Sequence, residues 1–493
     1  MPLPASASYD VVVLGGGSAA EELCSALREG EGEGGDRRWR LAVVEERLVG
    51  GQCPFYACMP SKAMLRSAGL RSLVATARSF GAVVADCPRD DPEGAYAVAA
   101  RRRDGVAEGR DDTSHARDLR SLGVEVVRGR GRVSGPGRLL VESAAGEQRE
   151  LAFERLVVAT GSLPALPPVE GLDEVPYWTS DDALSSPERP AAIAILGGGP
   201  VGCELAEIYA RFGSSVLLLE SSERLLAGEE PELGEALRAH LERLGVAVRP
   251  SARLAGVRRG GGGTILDLEG GEQLATDRLV VATGRRPAVD GLGLESLGIT
   301  PDADTGALKV DERCAVEGRD DLFAAGDVNG IAPFTHAAKY QARVIASNLL
   351  GGARRADHRA IPRCVYTDPP LSTVGLTRAE ADRQGLSVAV ATMDLGETAR
   401  ADSEGTMLID EGAGAPVVAA EAGGSLVLVA DRRRRVIVGG GAFGPRADEW
   451  MNEVALAIRA EVPLGLLTET VHPFPTYAEA LGPAYLDLAR QCR

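Results

Sequence analysis

The chain has 493 residues, 44% of them hydrophobic and 25% charged, with a formal net charge of −17. That composition describes an ordinary water-borne protein of about three domains with ample core, and its negative balance disfavours nucleic-acid backbones and anionic membrane surfaces as partners. No apolar run is long enough to span a bilayer, and Met1 to Ser8 lacks the charged start and apolar stretch of a signal peptide, so a cytoplasmic location is expected. In that reducing compartment a disulfide that matters is catalytic rather than structural.

In chain order, Tyr9 to Leu14 is a short apolar strand that runs into Gly15-Gly16-Gly17-Ser18-Ala19-Ala20, with a helix expected over Glu21 to Arg28. This is G-x-G-x-x-A in its required strand, turn, helix context. Glycines at Gly15 and Gly17, with the small Ala20, let backbone amides approach a pyrophosphate at the helix N-terminus. Gly30 to Arg38 reads as an exposed connection, and the strand Leu41 to Val44 ends in Glu45, placed to accept from a ribose hydroxyl.

Directly after this strand comes Gly50-Gly51-Gln52-Cys53-Pro54-Phe55-Tyr56-Ala57-Cys58-Met59-Pro60-Ser61-Lys62. Structural zinc takes two close Cys/His pairs and no second pair appears, so Cys53 and Cys58 point to redox chemistry, not metal. Pro54 suits the opening of a helix. Five helical positions rotate a side chain by about 500°, so a Cys53–Cys58 bridge requires a distorted first turn. Cys24, Cys87, Cys203, Cys314, Cys364 and Cys492 are scattered and read as buried thiols; the Arg101 to Arg103 and Arg432 to Arg435 runs read as solvated turns.

The nucleotide pattern returns at Ile193 to Leu196, then Gly197, Gly199 and Gly202 in Gly197-Gly198-Gly199-Pro200-Val201-Gly202, a helix over Glu204 to Phe212, and the strand Val216 to Leu219 ending in Glu220. A carboxylate at the ribose repels a 2′-phosphate, so Glu220 favours NADH; Arg224, just beyond, keeps NADPH as the lesser alternative. A further echo links Val157-Val158-Ala159-Thr160-Gly161 to Val280-Val281-Ala282-Thr283-Gly284, so one nucleotide-domain plan is used twice.

Hydride does not pass usefully from a nicotinamide to a disulfide sulfur, so a chain with both an NADH site and a cysteine pair needs a carrier, and a flavin fills that role. Leu322 to Asp327 supplies a strand end and, in Gly326-Asp327, an acid for a ribityl hydroxyl. Thr335 is expected to cap a helix starting near His336 and Ala337, whose amides favour negative charge on a reduced flavin.

Together these residues resemble the FAD-dependent pyridine nucleotide-disulfide oxidoreductases, the family of dihydrolipoyl dehydrogenase, glutathione reductase and mercuric reductase. The likeness also takes in Ala282 to Pro287 (Ala-Thr-Gly-Arg-Arg-Pro) and Tyr366-Thr367-Asp368-Pro369-Pro370 with Val374-Gly375-Leu376-Thr377, similar to the start of the family's C-terminal dimerisation domain. The resemblance implies that Cys58 is the thiolate against the flavin, Cys53 the outer thiol that attacks substrate, Lys62 the lysine beside the flavin and Glu204 its ion-pair partner. It implies cofactor contacts at Gly51, Lys62, Thr160, Gly161, Gly284, Arg285, Gly326, Asp327, Thr335, His336 and Ala337. Gly131 matches a backbone contact to the adenine side of FAD, or else is a turn glycine.

One departure matters. The family places a His, then Pro-Thr, then a Glu near the C-terminus, the His acting as proton shuttle for the substrate thiol from the partner subunit. Here the segment is Val471-His472-Pro473-Phe474-Pro475-Thr476-Tyr477-Ala478-Glu479: Glu479 falls on the acid, but Phe474 stands where the base is expected. His472 is two residues early and, in a polyproline-like run, displaced by about 6 Å. Three consequences compete. Water, Tyr477, Tyr56 or His472 supplies the proton and disulfide reduction survives. Alternatively the acceptor is a metal ion or quinone that needs no strong base, although the paired C-terminal cysteines of mercuric reductase are here reduced to Cys492. In the third, Phe474 protects a carbanion, as in 2-ketopropyl coenzyme M oxidoreductase/carboxylase, whose cysteine motif also begins Cys-Pro and ends Ala-Cys.

The expected fold is α/β, with two Rossmann-like nucleotide-binding domains for FAD and NAD(P) and a C-terminal α+β dimerisation domain. The FAD domain is placed at 1–176 and 291–357, the NAD(H) domain at 177–290 and the interface domain at 358–493, with a helix over Met451 to Ala460 that presents Val454, Leu456, Ala457 and Ile458. A homodimer with a shared active site is expected. The leading function is NADH-dependent disulfide or dithiol oxidoreduction of the dihydrolipoyl dehydrogenase type. A flavoprotein that only senses redox state is the non-enzymatic alternative, discriminated by its lack of NADH turnover.

Overall fold

The computed structural model describes residues 7–31, 38–76, 91–316, 319–404, 406–408, 417–419 and 423–493. The chain divides into two compact units, one of 1–60, 104–165 and 285–358 and a second of 61–103, 166–284 and 359–493.

The first unit is built on a sheet in which Glu125–Arg128, Leu41–Glu45, Ala7–Leu14 and Gln148–Val158 lie side by side, with Leu322–Ala324 parallel to Gln148–Val158. Arg138–Glu142 and Arg130–Gly135 extend it antiparallel. A parallel strand covered on both faces reads as continuous apolar sequence. Val11 and Val13 enter one core with Leu23, Leu27, Val43 and Ile345, while Val12 and Leu14 enter the opposite core with Val44, Val158 and Leu322. Leu14 is in register with Val44 on one side and Val158 on the other, so the strand ends converge on one edge.

In the second unit Ala247–Arg249, Ser215–Leu219, Ala192–Leu196, Arg278–Val281 and Tyr177–Trp178 form an all-parallel sheet, the first four in the same spatial sequence as their counterparts in the first unit. The duplication expected from the motifs is therefore also one of topology. This unit also holds the antiparallel sheet Arg363–Val365, Leu371–Gly375, Val436–Phe443, Ser425–Asp431, Val388–Asp394, backed by Asn452–Ala460 and Leu481–Gln491. The expected fold class, two Rossmann-like sheets and a C-terminal α+β portion, is the one observed. Among the described residues no helix is long and apolar enough to cross a membrane.

Two expectations, for the Arg101 to Arg103 run and for Cys364, are corrected. Arg101 to Arg103 is not a solvated turn but part of the helix Pro92–Val106; Arg103 is fully buried and donates to the carbonyls of Ser185 and Ser186 at 3.0 and 2.8 Å. In the helix Asn452–Ala460, Val454, Ala457 and Ile458 share the buried face by their i, i+3, i+4 spacing, which turns Leu456 outward at 65% exposure. Of the remaining cysteines, Cys24, Cys203, Cys314 and Cys492 are buried and Cys364 half-buried, whereas Cys87 lies outside the described residues. The Arg432 to Arg435 run does form an exposed turn, closed by Asp431 accepting the Arg433 and Arg434 amides.

Candidate functional site

At the end of Ala7–Leu14 the chain reverses through Gly15 at φ +103°, where an added Cβ would stand 2.3 Å from the Ala159 carbonyl oxygen. Only glycine satisfies both the dihedral and the space. Helix Ser18–Glu31 opens immediately beyond Gly17, whose carbonyl accepts the Ala20 and Glu21 amides at 2.9 and 3.2 Å, and Ala20 is fully buried beneath the turn. Glu45 accepts the Gly16 and Arg47 amides at 2.6 Å each. Across the turn, Gly161 has nothing within 4 Å of an added Cβ. A glycine-walled hollow at a helix N-terminus with a carboxylate at its rim suits the pyrophosphate and ribose of a dinucleotide.

The cysteine segment is planted on this turn. The Gly50 amide donates to the Gly16 carbonyl at 2.8 Å, and a Cβ on Gly51 (φ +74°) would meet the Gly17 Cα at 2.9 Å. Helix Gln52–Phe55 stops at Tyr56, φ −129°, and a new helix, Cys58–Thr76, starts at Cys58. The distortion that a Cys53–Cys58 pair requires is thus present, and both sulfur-bearing residues are half-exposed. Phe55 is buried and meets the His115 ring edge-on at 5.3 Å, while His115 Nδ1 lies 2.6 Å from Glu21. Asp112 accepts the Val49 amide at 2.6 Å and pairs with Arg128. Burial would raise its pKa, but Arg128 and the Val49 amide hold its carboxyl below the usual range. His115 and Asp112 carry no motif, and only their tertiary placement reveals them.

Thr335 does not cap its helix. It is the first residue of Thr335–Leu349, behind an uncapped Phe334, and its hydroxyl lies 3.6 Å from Cys58 Sγ. The His336 ring stacks on Phe334 at 5.3 Å, and Ala337 is buried. Nearby, Asp327 accepts the Ser162 hydroxyl at 2.5 Å, Arg285 Nε donates to the same hydroxyl at 2.7 Å, and Arg285 also reaches Gln52 Oε1. The Gly326 amide donates to Gln341 and the Thr160 hydroxyl to the Ala288 carbonyl. Gly131 is no turn glycine; it lies in the strand Arg130–Gly135, where a Cβ would stand 2.4 Å from Leu14 Cδ1.

The second unit repeats the turn. Gly197 has φ +114°, with the Ala282 carbonyl 2.4 Å from an added Cβ. Gly199 precedes the helix Pro200–Arg211, and Gly202 packs that helix on the Gly197 carbonyl. Gly284, φ +137°, leaves open space. Glu220 accepts the Gly198 and Ser222 amides at 2.6 Å each. Burial opposes its charge, but those two amides prevail and hold its carboxyl below the usual range. Arg224 is turned to the backbone, donating to the carbonyls of Ala227 and Glu229 at 2.6 and 2.8 Å. Lys62 Nζ sits 2.9 Å from both oxygens of the buried Glu204.

Near the C-terminus Phe474 is 79% exposed. The Thr476 hydroxyl closes onto the Pro473 carbonyl at 2.7 Å, so this is a turn rather than the expected polyproline-like run. The half-buried His472 packs its ring on Glu453, Nε2 to Oε2 3.1 Å, and the Tyr485 hydroxyl donates to the same carboxylate at 2.9 Å. The Tyr477 hydroxyl donates to Glu404 at 3.1 Å, and burial with that carboxylate pushes its pKa up to about 12. Glu479 accepts the Ala399 amide at 2.9 Å.

Residues 9–342 match the pyridine nucleotide-disulphide oxidoreductase family and residues 361–485 its dimerisation domain. The chain is 32% identical to dihydrolipoyl dehydrogenase of Chlorobaculum tepidum over 98% of its own length and 97% of the relative's. It is 32% identical to mercuric reductase of Shigella flexneri over 97% of the chain and 80% of that protein. Among solved structures, the Cu(II) complex of the HOCl-induced flavoprotein disulfide reductase RclA from Escherichia coli aligns with TM-score 0.80 and 25% identity, covering 97% of this chain and 99% of that one.

Proposed function

The chain belongs to the pyridine nucleotide-disulphide oxidoreductases, enzymes that use FAD and NAD(P)H, and from that premise we propose that it is an NADH-dependent reductase of a small disulfide or oxidant of a small dithiol. The observation that carries the reading is the Gly50 amide on the Gly16 carbonyl, which plants the Cys53–Cys58 segment on the dinucleotide turn. Gly15, Gly17, Ala20 and Glu45 would hold FAD with Gly326 and Asp327; Gly197, Gly199, Gly202 and Glu220 would hold NADH. When bound, FAD supplies the two-electron relay that nicotinamide and sulfur lack between them.

The chain's own groups then divide the work. Cys58 is the sulfur assigned to the flavin: the Thr335 hydroxyl lies 3.6 Å from its Sγ, and Lys62, four residues on in the helix Cys58–Thr76, supplies the cation that would favour its thiolate. Cys53 exchanges with substrate. Glu220, kept ionised, repels a 2′-phosphate, and Arg224 is committed to backbone carbonyls, which supports NADH over NADPH. His472 and Tyr477 are each bound to a carboxylate of the same unit, Glu453 and Glu404, so protonation of the leaving sulfur falls to solvent or Tyr56. Outward apolar groups at Leu456, Leu466, Val471 and Phe474 support a homodimer through the dimerisation domain.

A second reading, reduction of a soft metal ion, draws on the mercuric reductase relative and the RclA copper complex. Burial of Cys492, at 6% exposure, weighs against it by removing the one terminal thiol. An anaerobic NADH titration followed by lipoamide, low-molecular-weight disulfides, Hg(II) and quinones tests the choice. Turnover with a disulfide supports the leading reading, and turnover with Hg(II) alone sinks it.

A further inference from the structure

Tyr366 touches both members of the Lys62–Glu204 pair. Its ring lies under the ammonium, Nζ 4.4 Å from the centroid, and its backbone amide donates to Glu204 Oε1 at 2.9 Å. The backbone here is fastened twice, because Glu207, one turn further along the helix Pro200–Arg211, accepts the Asp368 amide at 3.1 and 3.2 Å. Glu207 is itself held by Arg211 at 2.7 Å, and the Arg211 guanidinium donates to the Asp368 carbonyl at 2.8 Å. Two carboxylates on one helix face thus hold the strand end at residues 366 and 368, and the ring between them has a defined place. An ammonium over an aromatic face is attracted to the ring's quadrupole. Lys62 keeps one-third of its side chain exposed, so without the ring its four-carbon stem has other rotamers open to it.

We infer that Tyr366 is a positioning residue, whose ring fixes the Lys62 ammonium so that it acts on the Cys58 thiolate. This rests on the assignment of Lys62 to that thiolate proposed above. The ring acts through its face and not through its hydroxyl, so phenylalanine substitutes for it and leucine does not.

The test is the long-wavelength charge-transfer absorbance of two-electron-reduced, FAD-loaded enzyme, followed against pH. In Tyr366→Leu its midpoint moves up by about half a pH unit to one unit, because a displaced cation favours the thiolate less. In Tyr366→Phe it stays at the wild-type value. A wild-type midpoint in Tyr366→Leu, or equal shifts in the Leu and Phe variants, overturns the inference. Lys62→Met separates the two layers: if its midpoint does not move, the assignment of Lys62 fails and the inference with it; if it moves while Tyr366→Leu does not, only the role of Tyr366 fails. Should Tyr366→Leu yield no flavin-loaded protein, Tyr366→Trp carries the test. Its stronger π face lowers the midpoint, and an unchanged or raised midpoint overturns the inference.

Discussion

Alanine at Gly15 and at Gly197 imposes nearly the same strain on two turns that serve different nucleotides. At Gly15 the added Cβ stands 2.3 Å from the Ala159 carbonyl oxygen and at Gly197 it stands 2.4 Å from that of Ala282, where separations under 3.0 Å force something to shift. Both residues have positive φ, +103° and +114°. The left-handed backbone costs alanine about 1–2 kcal/mol, and the overpacking about 1–3 kcal/mol more. Each turn therefore loses about 2–5 kcal/mol, out of a total stability of about 5–15 kcal/mol for a typical protein. If the strain is relieved by opening the turn, nucleotide binding weakens about 30-fold or more. Gly15→Ala should lose FAD, read as the ratio of flavin to protein absorbance after gel filtration. Gly197→Ala should keep its FAD and raise KM for NADH by a similar factor. Gly146→Ala is the control: φ is +78° but nothing lies within 4 Å and the residue is exposed and outside both glycine motifs, so only the dihedral cost applies. Full FAD in Gly15→Ala, or an unchanged KM for NADH in Gly197→Ala, refutes the assignment of the two turns.

Glu220→Gln removes the charge that excludes a 2′-phosphate, and the ratio of kcat/KM for NADPH to that for NADH should rise about tenfold; an unchanged ratio removes Glu220 as the selector. Its depressed folded pKa also makes its contribution to stability pH-dependent. That contribution is present above the ordinary glutamate value of 4.5 and lost as pH falls through the folded value, so the Gln variant's deficit in urea melts should shrink from pH 7 to acid conditions. Phe474→His should raise lipoamide turnover in steady-state assays, since a base returns to a position now 79% exposed; no rise shows that proton transfer does not limit the reaction. Tyr477→Phe should leave kcat with lipoamide unaltered, because its hydroxyl is spent on Glu404 and a phenol with a pKa pushed up to about 12 is a poor acid; a fall in kcat would make it the proton donor.

What the amino-acid sequence discloses is the part fixed by local geometry. The two glycine turns are legible because a positive φ and a carbonyl in the way of any Cβ leave no other residue possible. The break between Cys53 and Cys58 is legible because an ideal helix points them apart, and the chain meets that need at Tyr56. Tertiary partners are not legible in this way. Arg103 sits in an arginine run typical of solvent, yet two carbonyls 82 and 83 residues away satisfy it in the core. Thr335 reads as a cap from its neighbours, but its hydroxyl meets a sulfur 277 residues away. His472 is visible as a displaced imidazole, while its commitment to Glu453 depends on how Asn452–Ala460 packs. Tyr366 is legible only as the start of a segment that resembles the family's dimerisation domain, while its place over Lys62 arises where a strand end meets the helix that carries Glu204.

The central claim, that Cys58 is the sulfur paired with the flavin and Cys53 the one that meets substrate, is tested most directly by anaerobic absorbance spectra of Cys53→Ser and Cys58→Ser with the flavin still oxidised, because neither variant can form the disulfide and its remaining thiol is already reduced. The account predicts a long-wavelength charge-transfer band in Cys53→Ser before any reductant is added, without disulfide turnover, and no such band in Cys58→Ser. A band that survives in Cys58→Ser and vanishes in Cys53→Ser contradicts it.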